Sequence, residues 1–410
     1  MNEKKLIPHL FRSEFSKIVA VLCKTFGLSN IQLAEDIVSE TFLIATETWG
    51  LKGLPDNPTA WLYTVAKNKT KDYFKHAQVF NEKVAPQILH QINNYEIEVN
   101  LSPQNISDSQ LQMLFAVCNP IISAEAQITL ALRVLCGFGI DEIAHAFLSN
   151  KETIQKRLSR AKDKLWQHKV DLSFPPENQL NSRLDSVLSV IYLLFNEGYY
   201  STTSNQTLKK ELCVEAMRLT YMLLENESTN LPQTNALMAL LCFHSSRFES
   251  RTNTQGELIL YANQDRANWD YALIQKGEEY LNKSAKGSIT KYHLEAGISF
   301  WHTKTNATPN KWENILQYYN QLLQINYSPV AALTRTYALA MAKNKNVAIK
   351  EALKINLKGS HLYHSLLAEL YSGVDQKNQI LQLEKALALV KTKPERLLIE
   401  QKLDQARRGL

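Results

Sequence analysis

The 410-residue chain is poor in the residue patterns that build metal and catalytic sites. Its cysteines contain no CxxC pair, and its histidines show no HExxH spacing, so no zinc motif is present. A glycine-rich phosphate loop and a nucleophile elbow are also missing. We therefore expect free, reduced thiols, no metal, no cofactor and no enzymatic activity. The cysteines are Cys23, Cys118, Cys136, Cys213 and Cys242.

Long apolar runs are also missing. The richest one, Val187 to Phe195, is about half of the roughly 20 residues that a membrane-spanning helix needs. The N-terminal sequence MNEKKLIPHLF has two lysines but lacks the apolar core of a secretory signal. These two features predict a soluble, cytoplasmic protein that does not associate with a membrane.

Glycine and proline are scarce, at 13 and 12 residues, and mostly separate segments in which apolar residues recur every three or four positions. This periodicity predicts an all-α fold. Before the break at 173–176 we expect helices near 8–27, 31–49, 58–77, 108–117, 123–137, 140–148 and 151–168. After it we expect them near 185–199, 207–226, 232–248, 266–284, 289–302 and 311–326. We predict domains at 1–78, 108–170 and 175–410, with 79–107 as a linker.

Positive charge is concentrated in one short segment, although the whole chain carries only +6. Between 151 and 169 the basic residues far outnumber the acids Glu152 and Asp163. Such an excess suits either a phosphate-binding surface or a solvated helix face. The basic residues are Lys151, Lys156, Arg157, Arg160, Lys162, Lys164 and Lys169.

The predicted helix at 31–49 has an apolar stripe and an acidic surface. The stripe consists of Ala34, Ile37, Val38, Thr41, Phe42 and Ala45. Glu35, Asp36 and Glu40 lie off it, so we expect all three to be exposed. Exposed acids there either solvate the helix or bind a basic partner.

The next segment combines a shaped loop with an aromatic and basic helix. Two glycines and two prolines in 50–58 predict an exposed loop, and Asn57-Pro58 predicts the cap of the following helix. On that helix, lysines suit phosphates and aromatic rings suit exposed bases. The candidate contacts are Leu51, Lys52, Leu54, Asp56, Asn57, Trp61, Tyr63, Lys67, Asn68 and Lys71.

Residues 139–162 predict a helix-turn-helix whose second helix begins near Thr153. The front of such a helix meets base edges and its later cations meet phosphates. The usual turn glycine is missing, and we expect Asn150 to supply the left-handed conformation instead. The candidate DNA contacts are Glu152, Thr153, Gln155, Lys156, Arg157 and Arg160, with Lys162 and Lys164 as further phosphate contacts.

Three segments resemble the sigma-70 family of bacterial sigma factors. The strings EDIVSETF at 35–42 and TAWLYTVAKNKTKDYFK at 59–75 resemble region 2, and 139–166 is similar to region 4. Their order resembles the extracytoplasmic-function group. The resemblance implies a cytoplasmic bacterial protein that binds the β′ and β subunits of core RNA polymerase and promoter DNA, and lies at the nucleoid when bound. Glu35, Asp36 and Glu40 would bind polymerase, 51–71 the −10 element, and 152–160 the −35 element.

The segment after 175 predicts a helical array, and its last eighty residues predict helical repeats. Candidate repeat starts at 328–329, 359–360 and 393–394 are spaced close to the 34 residues of tetratricopeptide repeats. The chain resembles the sigma-factor subgroup with a tetratricopeptide-like C-terminal extension, which implies regulation, with a regulatory protein or peptide as a possible partner. Polar residues in this part, Arg247, Arg251 and Arg266 among them, either line an inner pocket or fix helix packing.

Two other classes of protein remain open. A stand-alone helix-turn-helix regulator with a peptide-sensing repeat domain would bind duplex DNA without polymerase. A repeat scaffold with solvated basic helices would bind neither. Neither class needs the acidic surface at 35–40, which favours a sigma factor.

Overall fold

The computed structural model describes residues 3–84, 99–199, 206–251, 253, 259, 261–304 and 308–408. Across these residues the chain forms eighteen α-helices and no strand, which confirms the all-α fold class. Within the same ranges, no helix is long and apolar enough to cross a membrane. The chain folds as two compact units, which comprise residues 1–198 and 199–410.

The N-terminal unit contains eight helices in its described part, at positions close to those expected from apolar periodicity. They are α1 Glu3–Phe26, α2 Ile31–Lys52, α3 Pro58–Val84, α4 Pro103–Val117, α5 Ala124–Val134, α6 Ile140–Ala146, α7 Lys151–Gln167 and α8 Glu177–Tyr199.

Helix α1 is the centre of this unit. Phe15, Ile18, Val19 and Leu22 on it are fully buried. The helix packs against both α2 and α4, and so joins the helices before the predicted linker to those after it. Burial of these large apolar side chains stabilises the association of the two groups of helices.

The predicted linker at 79–107 is shorter than expected. Helix α3 continues to Val84, and α4 begins at Pro103 rather than near 108. The side chain of Ser102 accepts a hydrogen bond from the backbone N–H of Asn105, which caps α4, and Pro103 suits the first helical position. Residues 85–98 of this segment lie outside the described residues.

The boundary between the two units also differs from the expected 175. The first unit extends to Gly198, so most of α8 belongs to it. Arg183 on α8 donates to the carbonyl oxygen of Phe115 at 2.5 Å, and the ring of Phe115 packs against that of Phe174 at 5.3 Å. The spacing of apolar residues could not predict these contacts, because they join residues that are far apart in the sequence.

The C-terminal unit is a series of helices in which consecutive members pack together. They are α9 Gln206–Glu225, α10 Pro232–Ser245, α11 Tyr271–Lys283, α12 Lys291–Thr303, α13 Lys311–Ile325, α14 Pro329–Ala342, α15 Lys345–Ala352, α16 His361–Tyr371, α17 Gln376–Leu389 and α18 Lys393–Arg408. Helices α14, α16 and α18 begin close to the three expected repeat starts.

Close packing in this unit depends on a glycine. A Cβ atom on Gly277 of α11 would lie 2.6 Å from a ring carbon of Phe243, which is fully buried on α10. A glycine at this position therefore allows α10 and α11 to approach each other.

Candidate functional site

An acidic surface lies on the exposed side of α2. Three acidic residues were predicted to be exposed there, and two of them are. Asp36 and Glu40 are exposed, and Leu43, which sequence reasoning missed, stands one turn further along with 59% of its surface exposed. Glu40 forms an ion pair with Lys69 of α3 at 2.5 Å. We call Asp36, Glu40 and Leu43 the acidic face. An exposed leucine beside carboxylates suits a protein partner with a basic, partly apolar surface.

The expected exposure of Glu35 is wrong. Its side chain is only 3% exposed, and its two carboxylate oxygens bind Arg133 Nε at 2.7 Å and Lys162 Nζ at 2.5 Å. Arg133 lies on α5 and Lys162 on α7, so the carboxylate joins α2 to both helices. Burial of a carboxylate requires such cationic partners. We call Glu35, Arg133 and Lys162 the buried triad.

The loop after α2 is shorter than the expected 50–58. Gly50, Leu51 and Lys52 continue the helix, and Gly53 ends it with a φ of 80°, a conformation that favours glycine. The predicted contacts in this segment are nevertheless exposed, Leu51 at 88% and Leu54 at 38%. Asp56 and Asn57 are exposed as well, and the Asn57 side chain accepts from the backbone N–H of Ala60, as the capping prediction required.

Helix α3 uses Trp61 and Tyr63 internally and presents several of its polar residues. The ring of Trp61 packs edge-on against the buried Trp49 at 5.2 Å. The Tyr63 hydroxyl donates to Glu14 at 2.6 Å, and burial together with this carboxylate raises the pKa of Tyr63. Asn68 and Lys71 are exposed and Lys67 is half-buried. The tyrosine is therefore held within the fold rather than presented outward as expected.

The α6–α7 turn has the predicted helix-turn-helix order, but the roles of its residues differ. Leu148, not Asn150, takes the left-handed conformation, with a φ of 48°. Asn150 instead has extended backbone, and its side chain accepts from the backbone N–H of Thr153 at 2.8 Å. Asparagine was expected at the left-handed position because it tolerates that conformation, whereas here its capping ability is used.

One side of α7 lines a basic groove of about 460 Å³ shared with the start of α5. The groove contains four cationic side chains, those of Lys156, Arg157, Arg160 and Lys164, together with Thr153. Four of the predicted contacts on α7, Glu152, Thr153, Lys156 and Arg160, are exposed. Such a surface suits phosphate oxygens.

Three predicted α7 residues do not project freely into that groove. Arg157 is half-buried and forms an ion pair with Glu125 of α5 at 3.1 Å. Gln155 is exposed, but it lines a second cleft, of about 530 Å³, between α2 and α7. Lys162, expected to contact phosphate, also lines this cleft, where it binds Glu35 and donates to Gln32 at 3.0 Å. The two sides of α7 therefore face different surroundings.

A further ion pair joins α1 to α6, and so joins the helices before the predicted linker to those after it. Arg12 on α1 binds Glu142 on α6 at 2.7 Å, while its guanidinium lies 4.0 Å from the ring centroid of Phe138. The Glu142 side chain also accepts from the backbone N–H of Gly139 and so caps α6. The α6–α7 hairpin is thus docked on α1 and α2 through charged contacts.

All five cysteine side chains are buried, and none of them forms a disulfide bond, as expected for reduced thiols. Burial raises the pKa of Cys213 and of Cys242 to about 12. Because the thiolate is the reactive form, these side chains are unreactive at neutral pH. Within the described ranges no group of three or more histidine, cysteine or acidic side chains is placed to hold a metal ion.

Comparisons with known proteins give two separate family matches within the chain. Residues 10–79 match the family model for sigma-70 region 2, and residues 183–285 match a family of unknown function (DUF6596). An uncharacterized protein of Rhizobium meliloti (strain 1021) is 29% identical over 382 residues, which span 92% of this chain and 90% of that protein. No solved structure matches the chain.

The chain therefore carries a sigma-70 region 2 domain, formed by α1, α2 and α3, with a second matched family in its C-terminal half. The region 2 match contains the acidic face, the loop after α2 and the polar side of α3. Region 2 domains belong to a family of non-enzymatic transcription initiation factors that bind core RNA polymerase and promoter DNA.

Proposed function

We propose that this protein is an alternative sigma factor that binds core RNA polymerase and directs transcription initiation. The observation that carries the proposal is the acidic face on α2, which lies inside the region 2 match and stays exposed in the fold. Asp36 and Glu40 bind polymerase, through its β′ and β subunits, and Leu43 adds apolar contact at the same surface. Glu35 supports this helix from inside rather than by touching polymerase.

Promoter melting is the proposed task of the loop after α2 and of α3. Leu51, Lys52 and Leu54 present an exposed apolar and cationic surface at the end of α2, and Asp56 and Asn57 follow. Extruded bases of the −10 element bind there, while Lys67, Asn68 and Lys71 hold the DNA strand by its phosphates. Trp61 and Tyr63 position this surface by packing on Trp49 and Glu14.

The basic groove on α7 is the proposed −35 binding surface, in the manner of sigma region 4. Glu152, Thr153 and Gln155 stand at the front of the helix, where a recognition helix meets base edges. Lys156, Arg160 and Lys164 supply positive charge for phosphates. Arg157 orients α7 through its ion pair with Glu125 on α5.

The fold described here is a closed form that has to open on the promoter. The −10 and −35 elements are separated by about 25 base pairs, roughly 85 Å at about 3.4 Å per base pair. The buried triad holds α2 and α7 in direct contact. The −10 surface that follows α2 and the −35 surface on α7 therefore cannot occupy both elements until the triad and the Arg12–Glu142 pair separate.

The protein belongs, in this proposal, to the extracytoplasmic-function group and to its members with a tetratricopeptide-like extension. Sequential packing of α13 to α18 supports such a repeat array. The C-terminal unit regulates activity by responding to a ligand, peptide or protein. Removal of 199–410 is expected to change promoter output.

Co-elution with purified bacterial core polymerase tests the function. The full chain is compared with an Asp36→Ala, Glu40→Ala variant and with a Glu227→Ala, Asp404→Ala control, which removes two exposed carboxylates from the other unit. We expect the first variant to lose at least about tenfold in affinity and the control to bind like the unmodified chain.

If the closed form blocks polymerase binding, the unmodified chain will not co-elute. The Lys162→Met variant, in which the buried triad is weakened, controls for this case. If neither the unmodified chain nor this variant binds polymerase, the sigma-factor proposal fails. Binding to duplex DNA in that case would identify a stand-alone helix-turn-helix regulator.

A further inference from the structure

Three cations from separate segments of the C-terminal unit meet around one tyrosine. Lys311 Nζ, at the start of α13, donates to the Tyr261 hydroxyl at 3.1 Å and to the carbonyl oxygen of Lys304 at 2.9 Å. Arg266 Nη2 donates to the same carbonyl oxygen at 3.0 Å. The Arg247 guanidinium lies 5.4 Å from the Tyr261 ring centroid. We call Arg247, Arg266 and Lys311 the cation cluster.

The side chains of the cation cluster are buried or half-buried, where a charge is energetically unfavourable. Lys311 is 1% exposed, and the two arginines are half-buried against the ring of Trp269, at 5.8 Å for Arg247 and 4.9 Å for Arg266. Within the part of the chain that the structure describes, neither arginine has a carboxylate within ion-pair distance. Aromatic faces compensate only part of the desolvation of a buried cation.

Two buried hydrogen-bond donors, one within the cluster and one beside it, add to this imbalance. Arg247 Nε and the indole Nε1 of Trp269 are buried and, among the described residues, have no acceptor. His302 Nδ1 is buried without a partner as well, and its ring lies 5.1 Å from that of Tyr261. Unsatisfied buried donors are rare in folded proteins because each costs free energy.

We propose that the C-terminal unit binds a small oxyanion, a phosphate or carboxylate group, at the cation cluster of Arg247, Arg266 and Lys311. An oxyanion supplies negative charge to the two arginines and acceptor atoms to Arg247 Nε and Trp269 Nε1, which have none among the described residues, and guanidinium groups match its geometry. Tyr261 and Trp269 form the aromatic walls. Such a site would bind the free ion or the anionic end of a small metabolite.

The electrostatics of the cluster support this assignment. Burial, followed by the charges of Arg266 and Arg247, lowers the pKa of Lys311 to about 8. Burial, Arg247 and Lys311 lower the pKa of His302 to about 3, so this ring is neutral at pH 7. The cations thus repel each other within the folded unit, and an oxyanion between them would relieve that repulsion. The inference goes beyond the proposed function and does not depend on polymerase binding.

Calorimetric titration and thermal unfolding of the full chain test the site. Sodium sulfate and inorganic phosphate are the free-ion probes, glycerol phosphate and citrate are the ester and carboxylate probes, and sodium chloride at equal ionic strength is the control. At about a hundredfold excess over Kd, we expect an oxyanion to raise Tm by about 5–10 °C relative to chloride. A larger shift with glycerol phosphate or citrate would identify a metabolite rather than the free ion.

The variants Arg247→Met and Lys311→Met remove one charge each, and Arg247→Lys keeps the charge. The matched control is Lys402→Met, which removes a lysine paired with Glu369 in the same unit. We expect each methionine variant of the cluster to lose at least about tenfold in oxyanion affinity, with Arg247→Lys losing less and Lys402→Met unchanged. Far-ultraviolet circular dichroism verifies that each variant is folded.

Two results would overturn the proposal. One is an unmodified chain whose Tm responds to oxyanions no more than to chloride. The other is a response that persists equally in folded Arg247→Met and Lys311→Met. In either case the cluster would be a packing feature that tolerates its charge, as some buried cations do over aromatic rings.

Discussion

The two units contain buried charge in opposite arrangements. In the N-terminal unit the buried carboxylate of Glu35 has two cations within 2.7 Å. In the C-terminal unit Arg247 and Arg266 share one region with Lys311, and neither arginine has a described carboxylate at ion-pair distance. The charge of Glu35 is paired within the chain, whereas the two arginines of the cation cluster are proposed to pair with an external oxyanion.

This difference indicates how each unit is expected to respond to its surroundings. The buried triad stabilises contact between helices that are far apart in sequence, so its separation is coupled to rearrangement of the N-terminal unit. The cation cluster is already assembled, and filling it would stabilise the C-terminal unit by mass action. A buried charge that is paired within the chain therefore suits a contact that changes with conformation. A buried charge without such a pair suits a ligand site.

Removal of the Glu35 carboxylate should give the largest effect. Glu35→Ala leaves Arg133 and Lys162 buried without their shared partner, and loss of one member of a buried ion pair costs about 3–5 kcal/mol. We expect the free energy of unfolding to fall by that amount in denaturant titrations. Lys311→Met, which removes a cation instead of its partner, should be neutral or stabilising without oxyanion.

Glu40→Ala is the matched control for Glu35→Ala. It removes a carboxylate from the same helix, also paired with a lysine, but the Glu40 side chain is 60% exposed. Exposed pairs contribute less than about 1 kcal/mol, so its effect on stability should be small. Equal losses for the two variants would contradict a special role for the buried triad.

Weakening the triad without breaking it should alter polymerase binding. Lys162→Met leaves Glu35 paired with Arg133, so the unit still folds while contact between α2 and α7 is weaker. If the closed form competes with polymerase, each 1.4 kcal/mol lost from that contact raises the apparent affinity about tenfold, as measured by titration with core polymerase. Lys164→Met makes the same charge change on the exposed side of α7 and should leave this affinity unchanged. A tenfold gain in both variants would indicate a general charge effect.

The helices were predictable from sequence because their signals are local. Apolar spacing of three and four residues placed α2 and α7 within a few residues of their observed limits, and Asn57 was predicted as the cap of α3. The left-handed residue of the α6–α7 turn was assigned wrongly because Asn150 suits both that conformation and a helix cap. Leu148, which takes it, carries no local signal.

Charge pairing could not be predicted, because it depends on contacts across the fold. Glu35 stands off the apolar stripe of α2, yet Arg133 and Lys162 approach it from 98 and 127 positions away in sequence. In the C-terminal unit, Arg247 and Arg266 were recognised as polar residues in apolar surroundings, whereas Lys311 was not. Its role follows from its burial beside Tyr261 at the start of α13.

The dependence on pH should give the smallest effect. It concerns the cation cluster and distinguishes it further from the buried triad. Lys311, with a pKa of about 8, faces the permanently charged Arg247 and Arg266, the Tyr261 hydroxyl and the neutral His302. Because its pKa is below the ordinary 10.5, the cost of its charge is fully present below pH 8 and disappears as the pH rises from 8 towards 10.5. The stability gap between Lys311→Met and the unmodified chain should therefore narrow over that range without oxyanion.

Sulfate, whose charge is constant here, should bind the unmodified chain about threefold to tenfold more weakly at pH 9 than at pH 7, because Lys311 loses its proton between the two. Calorimetric titration at both pH values measures this change, and Lys311→Met should show little of it. A sulfate affinity independent of pH in the unmodified chain would place the anion away from Lys311. The contact between α2 and α7 provides the internal comparison, because its cations, Arg133 and Lys162, already share a carboxylate within the protein.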